Sequence, residues 1–269
     1  MRLISATVLG LAVLSATTDA QSQIMNAQVE NRQATRGLAA EIQSVADRGS
    51  AAWIGYRTPT VGGPQHMCTS NSRTSPRVML EPASELIILI RVDERRIVKL
   101  QTVTPDCEVD AGALPVVWLE GVSPADSAAW LTVQIRSTEG SGQRESRVVQ
   151  PAITALVWHA GEAPLETVIS LAREDRRPYV RSQALFWLSQ RAGQEAVAAI
   201  RSAVDDDPET EVKRKAVFAL SQLPNDEGVP LLVQIARTNR NPQVRKQAMF
   251  WLGQSKDPRA ISFFEELLR

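Results

Sequence analysis

The sequence contains few of the residues on which active sites usually depend. Only two histidines and two cysteines occur among 269 residues, and neither His66 nor His159 lies in an HExxH metal motif. Net charge is also absent, because 30 Lys and Arg balance 30 Asp and Glu. The strong positive field that nucleic-acid binding usually needs is therefore missing. We predict a protein without enzymatic activity, cofactor, bound metal or nucleic-acid partner, although a site made of carboxylates alone would leave no motif.

Long apolar runs are scarce too, and the longest lies at the start of the chain. Residues 1–20 have one early positive charge at Arg2 and an apolar run from Leu3 to Leu14. They end in small residues that include Thr18 and Ala20. This pattern predicts a secretory signal peptide that is cleaved after Ala20. The alternative is an uncleaved anchor, but a membrane span needs about 20 apolar residues. We expect a periplasmic or secreted protein whose mature chain has no membrane span.

The predicted export affects the expected state of the two cysteines. Oxidising compartments favour disulfides, so Cys68 and Cys107 are predicted to pair. Closing a loop of about 40 residues stabilises a fold by about 4 kcal/mol in the chain-entropy description. The alternative is a metal site that uses His66 and Cys68, but two ligands fall short of the four that a structural zinc needs.

Residues 21–50 form a polar segment with one helical pattern. Leu38, Ile42 and Val45 recur at helical spacing, which predicts an amphipathic helix near 33–47. The stretch before it is expected to be mobile.

Residues 51–122 have a strand pattern instead. The sequences ELIILIRV and RIVKLQTV are rich in β-branched residues and are separated by DERR, which is typical of a hairpin. Further strands are predicted in AAWIGYR and LPVVWLEGV, with loops at GGPQ and SNSRTSP. The segment is therefore expected to be a small β-rich domain held by the disulfide.

Residues 123–269 are helical and repetitive. The first helix is predicted to begin at Ser123 as N-cap, followed by Pro124 and an acidic first turn. Further on, VRSQALFWLSQ, VKRKAVFALSQ and VRKQAMFWLGQ start at residues 180, 212 and 244, which are 32 residues apart. Each copy is preceded by a second apolar helix pattern, and a more diverged copy precedes the three. Stacked helical pairs of this kind form an α-solenoid, with the final helix as a cap or a truncated repeat.

This repeat resembles the HEAT repeat, in particular its short bacterial form, over about 146–269 or from 124 onwards. The resemblance implies a mainly α protein with an α-α superhelix that acts as an adaptor for a protein or peptide partner. Similar repeats also occur in phycobilisome lyases, which attach or remove bilin chromophores, so a bilin lyase-like enzyme is one alternative. A purely structural envelope component is another.

Three phenylalanines occupy one column of the repeat. Phe186, Phe218 and Phe250 lie about 200° around the helix from the apolar Ala column, within a polar sector. They are the predicted apolar anchors of a partner-binding groove. The rim candidates share this sector: Gln183, Lys215, Lys246, Gln190, Gln222 and Gln254. The alternative is that the rings fold against neighbouring helices and are mostly buried.

A basic column also recurs. Arg181, Lys213 and Arg245 each follow, by six residues, a turn position held by Asp175, Asp207 and Asn239. We expect structural bonds to carboxylates or carbonyls of adjacent repeats rather than ligand binding. The run DDDPETE is predicted to be a solvated turn rather than a calcium site, and His159 a surface or helix-end residue.

Overall fold

The computed structural model describes residues 24–61, 67–68, 81, 83–138, 142, 145–191 and 193–269. The predicted signal peptide, His66 and the loops GGPQ and SNSRTSP lie outside these residues. Among the helices that are described, none has the length and apolar character of a membrane span.

The first part of the chain forms a five-stranded mixed sheet in the order β2-β7-β3-β4-β5, together with a separate two-stranded pair. Its strands are β1 Ile24–Met25, β2 Val29–Gln33, β3 Ala52–Pro59, β4 Glu85–Asp93, β5 Arg96–Val103, β6 Val109–Asp110 and β7 Val116–Glu120. β4 and β5 form the predicted hairpin, which is confirmed. Glu94 and Arg95 at its turn have φ of 47° and 61°, the left-handed conformation of a two-residue hairpin loop.

The prediction for residues 21–50 was wrong in its first half. β1 pairs in parallel with β6 and β2 with β7, so the stretch expected to be mobile joins the sheets. The helix α1 (Leu38–Ala46) begins five residues later than predicted. VENRQ has almost no apolar alternation, so its strand conformation depends on pairing with a distant segment rather than on local propensity.

The sheet buries side chains on both faces. One face carries Ile54, Tyr56 and Ile88 into the main core, and the other carries Leu89 and Trp118 into a small cluster around the Cys68–Cys107 disulfide. The predicted disulfide is therefore confirmed. Gly55 is required here, because a Cβ at that position would lie 2.7 Å from the Trp118 ring.

The second part of the chain is the predicted array of helices. It comprises α2 Pro124–Ser137, α3 Gln150–Trp158, α4 Glu162–Glu174, α5 Pro178–Ser189, α6 Gln194–Asp206, α7 Thr210–Ser221, α8 Asn225–Thr238, α9 Pro242–Gln254 and α10 Pro258–Leu267. A π-helical turn at Glu145–Val149 leads into α3. The Ser123 hydroxyl accepts a hydrogen bond from Asp126 N at 3.0 Å, which confirms the predicted N-cap of α2.

The near-copies lie on helices that pack side by side. α3, α5, α7 and α9 form one layer, named here the inner helices, while α4, α6, α8 and α10 form the outer helices. The predicted apolar columns are buried: Ala152, Ala184, Ala216 and Ala248 have no exposed surface. One continuous core runs from the sheet to Phe263 on α10. The mainly α architecture with a β-rich region before it is thus confirmed, and the sheet and the array share a core.

Candidate protein-binding face

The inner helices carry a row of aromatic rings, named here the aromatic stripe: Phe186, Phe218, Trp251 and Phe250. The rings of Phe186 and Phe218 stack with their centroids 6.0 Å apart and 4° between their planes. Phe218 lies 5.0 Å from Trp251, which contacts Phe250 edge-on at 5.0 Å. The 32-residue period places one phenylalanine on each helix, so the stripe crosses α5, α7 and α9.

The rings are neither fully buried nor free. Phe186 and Phe218 are half-buried, and Phe250 is 53% exposed. Each of the first two rings covers part of its neighbour while part of it stays in solvent. Burial against neighbouring helices, one of the two alternatives drawn from the sequence, thus applies in part to Phe186 and Phe218 and not to Phe250. The stripe offers apolar surface that is already ordered by stacking.

A cavity of about 540 Å³ opens beside the first two rings, between α5 and α7. It is lined by Phe186, Phe218, Gln183 and Lys215 among the predicted residues. The other lining residues are Gln150, Pro178, Tyr179, Ser182, Glu211 and Val212. The cavity thus combines an apolar wall with one cationic, one acidic and several neutral polar groups, as a site for a peptide segment would.

A smaller cavity of about 250 Å³ follows between α7 and α9. Phe218 and Lys215 line both cavities, and Trp251 closes the second one. Arg214 and Gln247 complete its rim, with Arg214 Nε 3.3 Å from Gln247 Oε1. Lys246 is exposed and does not line either cavity.

The predicted glutamine column lies away from both cavities. Gln190 and Gln222 are the C-cap residues of α5 and α7, and their side chains donate to Ser189 and Ser221 at 3.3 and 3.1 Å. Gln254 ends α9 and is exposed. The structure therefore places these three residues at the helix ends.

Two of the residues that sequence analysis missed were accessible to the same argument. Tyr179 lies at about 220° on the helical wheel of α5, close to Phe186, and Glu211 is its equivalent one repeat later. Trp251 lies at about −60° on the helical wheel of α9, outside the polar sector, yet its ring reaches Phe218 because the side chain is long enough to bridge two helices.

The basic column has a structural role, but only Arg181 bonds an adjacent repeat as predicted, while Lys213 and Arg245 bond carbonyls of their own repeat. Arg181 forms a buried bidentate ion pair with Asp207 of the next repeat, with Nε–Oδ2 2.7 Å and Nη2–Oδ1 3.0 Å. The hydrogen bonds that Arg181 donates to Asp207 raise the pKa of Arg181. Lys213 donates to the carbonyl of Asp205, and Arg245 donates to that of Asn239 at 2.8 Å.

One prediction about exposure was wrong, and another held in only one of its two alternatives. Asp207 belongs to the run expected to be solvated but is only 7% exposed, because Arg181 compensates its charge. His159 ends α3 as expected but is fully buried. Its Nδ1 donates to the carbonyl of Ala160 at 3.2 Å, so in the neutral ring Nε2 accepts from Thr58 Oγ1 at 2.9 Å. Burial lowers the pKa of His159.

Only one cluster of the described residues has the density of a metal site. Cys68, Asp106 and Cys107 bring their ligand atoms within 4.8 Å of one another. Both sulfurs are joined in the disulfide and do not serve as thiolate ligands.

The stacked inner helices and their aromatic stripe define a helical-repeat protein with an apolar, polar-rimmed inner face. Comparison with protein families supplies the class of repeat: a model of HEAT repeats matches residues 165–239 and, in an overlapping placement, residues 199–269. Residues 165–269 are therefore HEAT repeats, as the sequence pattern predicted. No curated protein matches the chain.

Proposed function

We propose that the protein is an exported, non-enzymatic adaptor that binds a protein or peptide partner along its aromatic stripe. The stacked and still partly exposed rings of Phe186 and Phe218, beside a cavity of about 540 Å³, carry this proposal. HEAT repeats are commonly used for protein interaction, which supports it. Pre-stacked rings lose little conformational entropy on binding, so they suit an apolar side chain of the partner.

The chemistry of the cavity indicates the kind of segment that fits. An apolar partner side chain would lie against Phe186 and Phe218, and Lys215 and Glu211 would meet polar groups of the partner backbone or of its neighbouring side chains. The titratable groups with shifted pKa values, such as Tyr56, His159 and Asp175, are engaged in structural hydrogen bonds. This arrangement favours an adaptor over a catalyst.

The binding test compares the mature chain with two variants. Phe186→Ser/Phe218→Ser removes the stacked rings, and Val133→Ser is the control, because Val133 is 57% exposed on α2 and outside both cavities. Proteins captured from an envelope extract are identified by mass spectrometry and then titrated directly with each variant. We expect tenfold or greater weakening only for the phenylalanine variant. Equal affinity of all three forms would refute binding by the stripe.

Export is tested separately. The Cys68–Cys107 disulfide is typical of oxidising compartments and supports this part of the proposal. The full chain is expressed with and without Leu9→Asp/Leu11→Asp in the apolar run, and the mature N-terminus is determined. We expect processing to Gln21 and its loss in the variant. Retention of an intact N-terminus in the cytoplasm would contradict export.

A further inference from the structure

Two successive junctions between repeats differ at one pair of positions. At the first junction, Arg181 on α5 pairs with Asp207 in the turn after α6, and both side chains are buried. The guanidinium donates to the two carboxylate oxygens at 2.7 and 3.0 Å and to the carbonyl of Asp175 at 2.8 Å. The first junction is therefore closed by a buried carboxylate that is bound to a cation.

The next junction has other residues at the same two positions. One repeat later, Lys213 stands in the column of Arg181, and Asn239 stands in that of Asp207. Lys213 donates to the carbonyl of Asp205, and Asn239 Nδ2 donates to Asp205 Oδ1 at 3.2 Å. Both side chains are partly exposed. Since Asn239 carries an amide, the second junction has no carboxylate where the first one has it.

A cavity of about 460 Å³, named here the junction cavity, opens at this second junction between α6 and α8. Lys213 and Asn239 line it, and Val204, Leu231 and Ile235 form its apolar wall. The volume lies within the range of about 300–1,000 Å³ that is usual for small-molecule sites. The junction cavity shares no lining residue with the two cavities beside the aromatic stripe, so it is a separate site.

Basic and acidic side chains both line the junction cavity, but two of the basic ones lack partners. The carboxylates of Asp205 and Asp206 accept hydrogen bonds from neighbouring side chains. The guanidinium groups of Arg201 and Arg240 make no hydrogen bond or ion pair with any residue that the structure describes. Their N–H groups are therefore donors that a ligand can use, and the planar guanidinium matches a carboxylate or a phosphate.

The surroundings favour an anion with a single charge. The helices α6 and α8 end at Asp206 and Thr238, which both line the cavity, so the negative ends of two helix dipoles lie there. The basic residues Arg201, Lys213 and Arg240 exceed the two acidic ones by one charge only. A dianion would be repelled more strongly than a monocarboxylate.

We propose that the junction cavity binds a small monocarboxylic acid with an apolar chain. The ligand carboxylate takes at the second junction the role that the Asp207 carboxylate has at the first, and it accepts hydrogen bonds from the unpaired guanidinium groups and from Lys213. The chain of the ligand lies against the apolar wall. This site is independent of the aromatic stripe and of the adaptor function proposed for it.

Isothermal titration calorimetry of the mature chain with octanoate tests the proposal. Octane-1,2-diol and octylamine are matched probes that keep the apolar chain but lack the negative charge. Octyl phosphate adds a second negative charge above about pH 7. We expect saturable binding of octanoate and at least tenfold weaker binding of the other three compounds.

Two variants locate the binding in the junction cavity. Lys213→Arg/Asn239→Asp rebuilds the charge pair of the first junction, so a side-chain carboxylate occupies the place of the ligand and octanoate should bind at least tenfold more weakly. Arg240→Gln removes one exposed guanidinium and should weaken octanoate binding three- to tenfold. Circular dichroism checks that each variant is folded.

The control variants Val133→Ser and Phe186→Ser/Phe218→Ser should bind octanoate as the unaltered chain does. Three outcomes would overturn the proposal. The first is absence of saturable octanoate binding, or equal binding of the diol or of octyl phosphate. The second is unchanged octanoate binding by both junction-cavity variants. The third is loss of binding only in Phe186→Ser/Phe218→Ser, which would move the acid to the aromatic stripe.

Discussion

The two ends of the helical array differ in how they are covered. At the first end, every residue of α3 from Ala152 to Trp158 is buried, and Thr102 of β5 donates to the carbonyl of Pro151 at 3.2 Å. At the last end, Ile261 and Leu268 of α10 are more than half exposed. A stacked repeat has no natural end, so an array needs a different structure to close it. In this protein the β-sheet closes the first end.

The same contrast appears in the polar contacts. Between the inner repeats, Arg181 and Asp207 pair side chain to side chain in a buried setting. At the last end, the equivalent Arg245 bonds carbonyls of its own loop. Arg181 is therefore stabilised by a neighbouring repeat, whereas Arg245, like Lys213 before it, bonds a carbonyl near it in sequence.

The largest expected effect tests the charge pair. Arg181→Ala leaves Asp207 buried without its counter-charge, so we expect the free energy of unfolding to fall by about 4 kcal/mol. Arg245→Ala loses hydrogen bonds to carbonyls only and should cost about 1 kcal/mol. Urea unfolding followed by circular dichroism measures both. Equal losses would show that the inner and terminal positions do not differ.

The apolar column gives a second matched pair. Ile153→Ala at the covered end removes a fully buried side chain and should cost about 3 kcal/mol. Met249→Ala, at the same position of the repeat but on α9, should cost about 1 kcal/mol, because part of the side chain is already in water. The same urea measurement applies, and a larger loss of stability for Met249→Ala than for Ile153→Ala would contradict the difference in burial between the two helices.

Substitutions in the aromatic stripe are expected to cause a smaller loss of stability. Phe218→Ala loses the stack with Phe186 and the contact with Trp251, so a cost of about 2 kcal/mol is expected. Phe250→Ala should change stability by less than about 0.5 kcal/mol, because the ring is 53% exposed. Thermal unfolding compares them. A clear loss of stability in Phe250→Ala would mean that this ring belongs to the core.

The smallest effect concerns the seam between the sheet and α3. Burial lowers the pKa of His159, so the unfolded chain binds its proton first as pH falls below about 6.5. The free energy of unfolding therefore falls as the pH drops from about 6.5 to the lowered pKa of the folded chain, with a slope of at most about 1.4 kcal/mol per pH unit. We measure the free energy of unfolding of both proteins between pH 5 and 8. The unaltered chain should lose stability with this slope as the pH falls, and His159→Gln should not show this contribution. An unchanged slope would show that His159 does not titrate in this range.

Local pattern was sufficient for much of the fold. The helical columns were predictable because each residue is buried for the same reason in each repeat, and the hairpin β4–β5 because its strands are adjacent in sequence. The strand β2 was missed because its partner β7 lies more than 80 residues away. The burial of Asp207 was missed because its partner lies in another repeat.

The sequence likewise predicted some residues of the candidate site and missed others. The helical wheel identified Phe186, Phe218, Gln183 and Lys215, which share one cavity. It gave no means to see that Trp251 bridges Phe218 and Phe250, since a wheel describes one helix at a time. It also misplaced the Gln190 column, because the helix ends at that residue and its side chain turns to Ser189.

The sequence by itself determined the repeat, its period, its buried columns and the pairing of its two cysteines, because each depends on residue type and spacing alone. Only the tertiary structure decided which rings stack, which charges are buried and which end of the array is covered. These properties depend on contacts between residues that are distant along the chain, and the free energy of such contacts is set by the neighbour as much as by the residue.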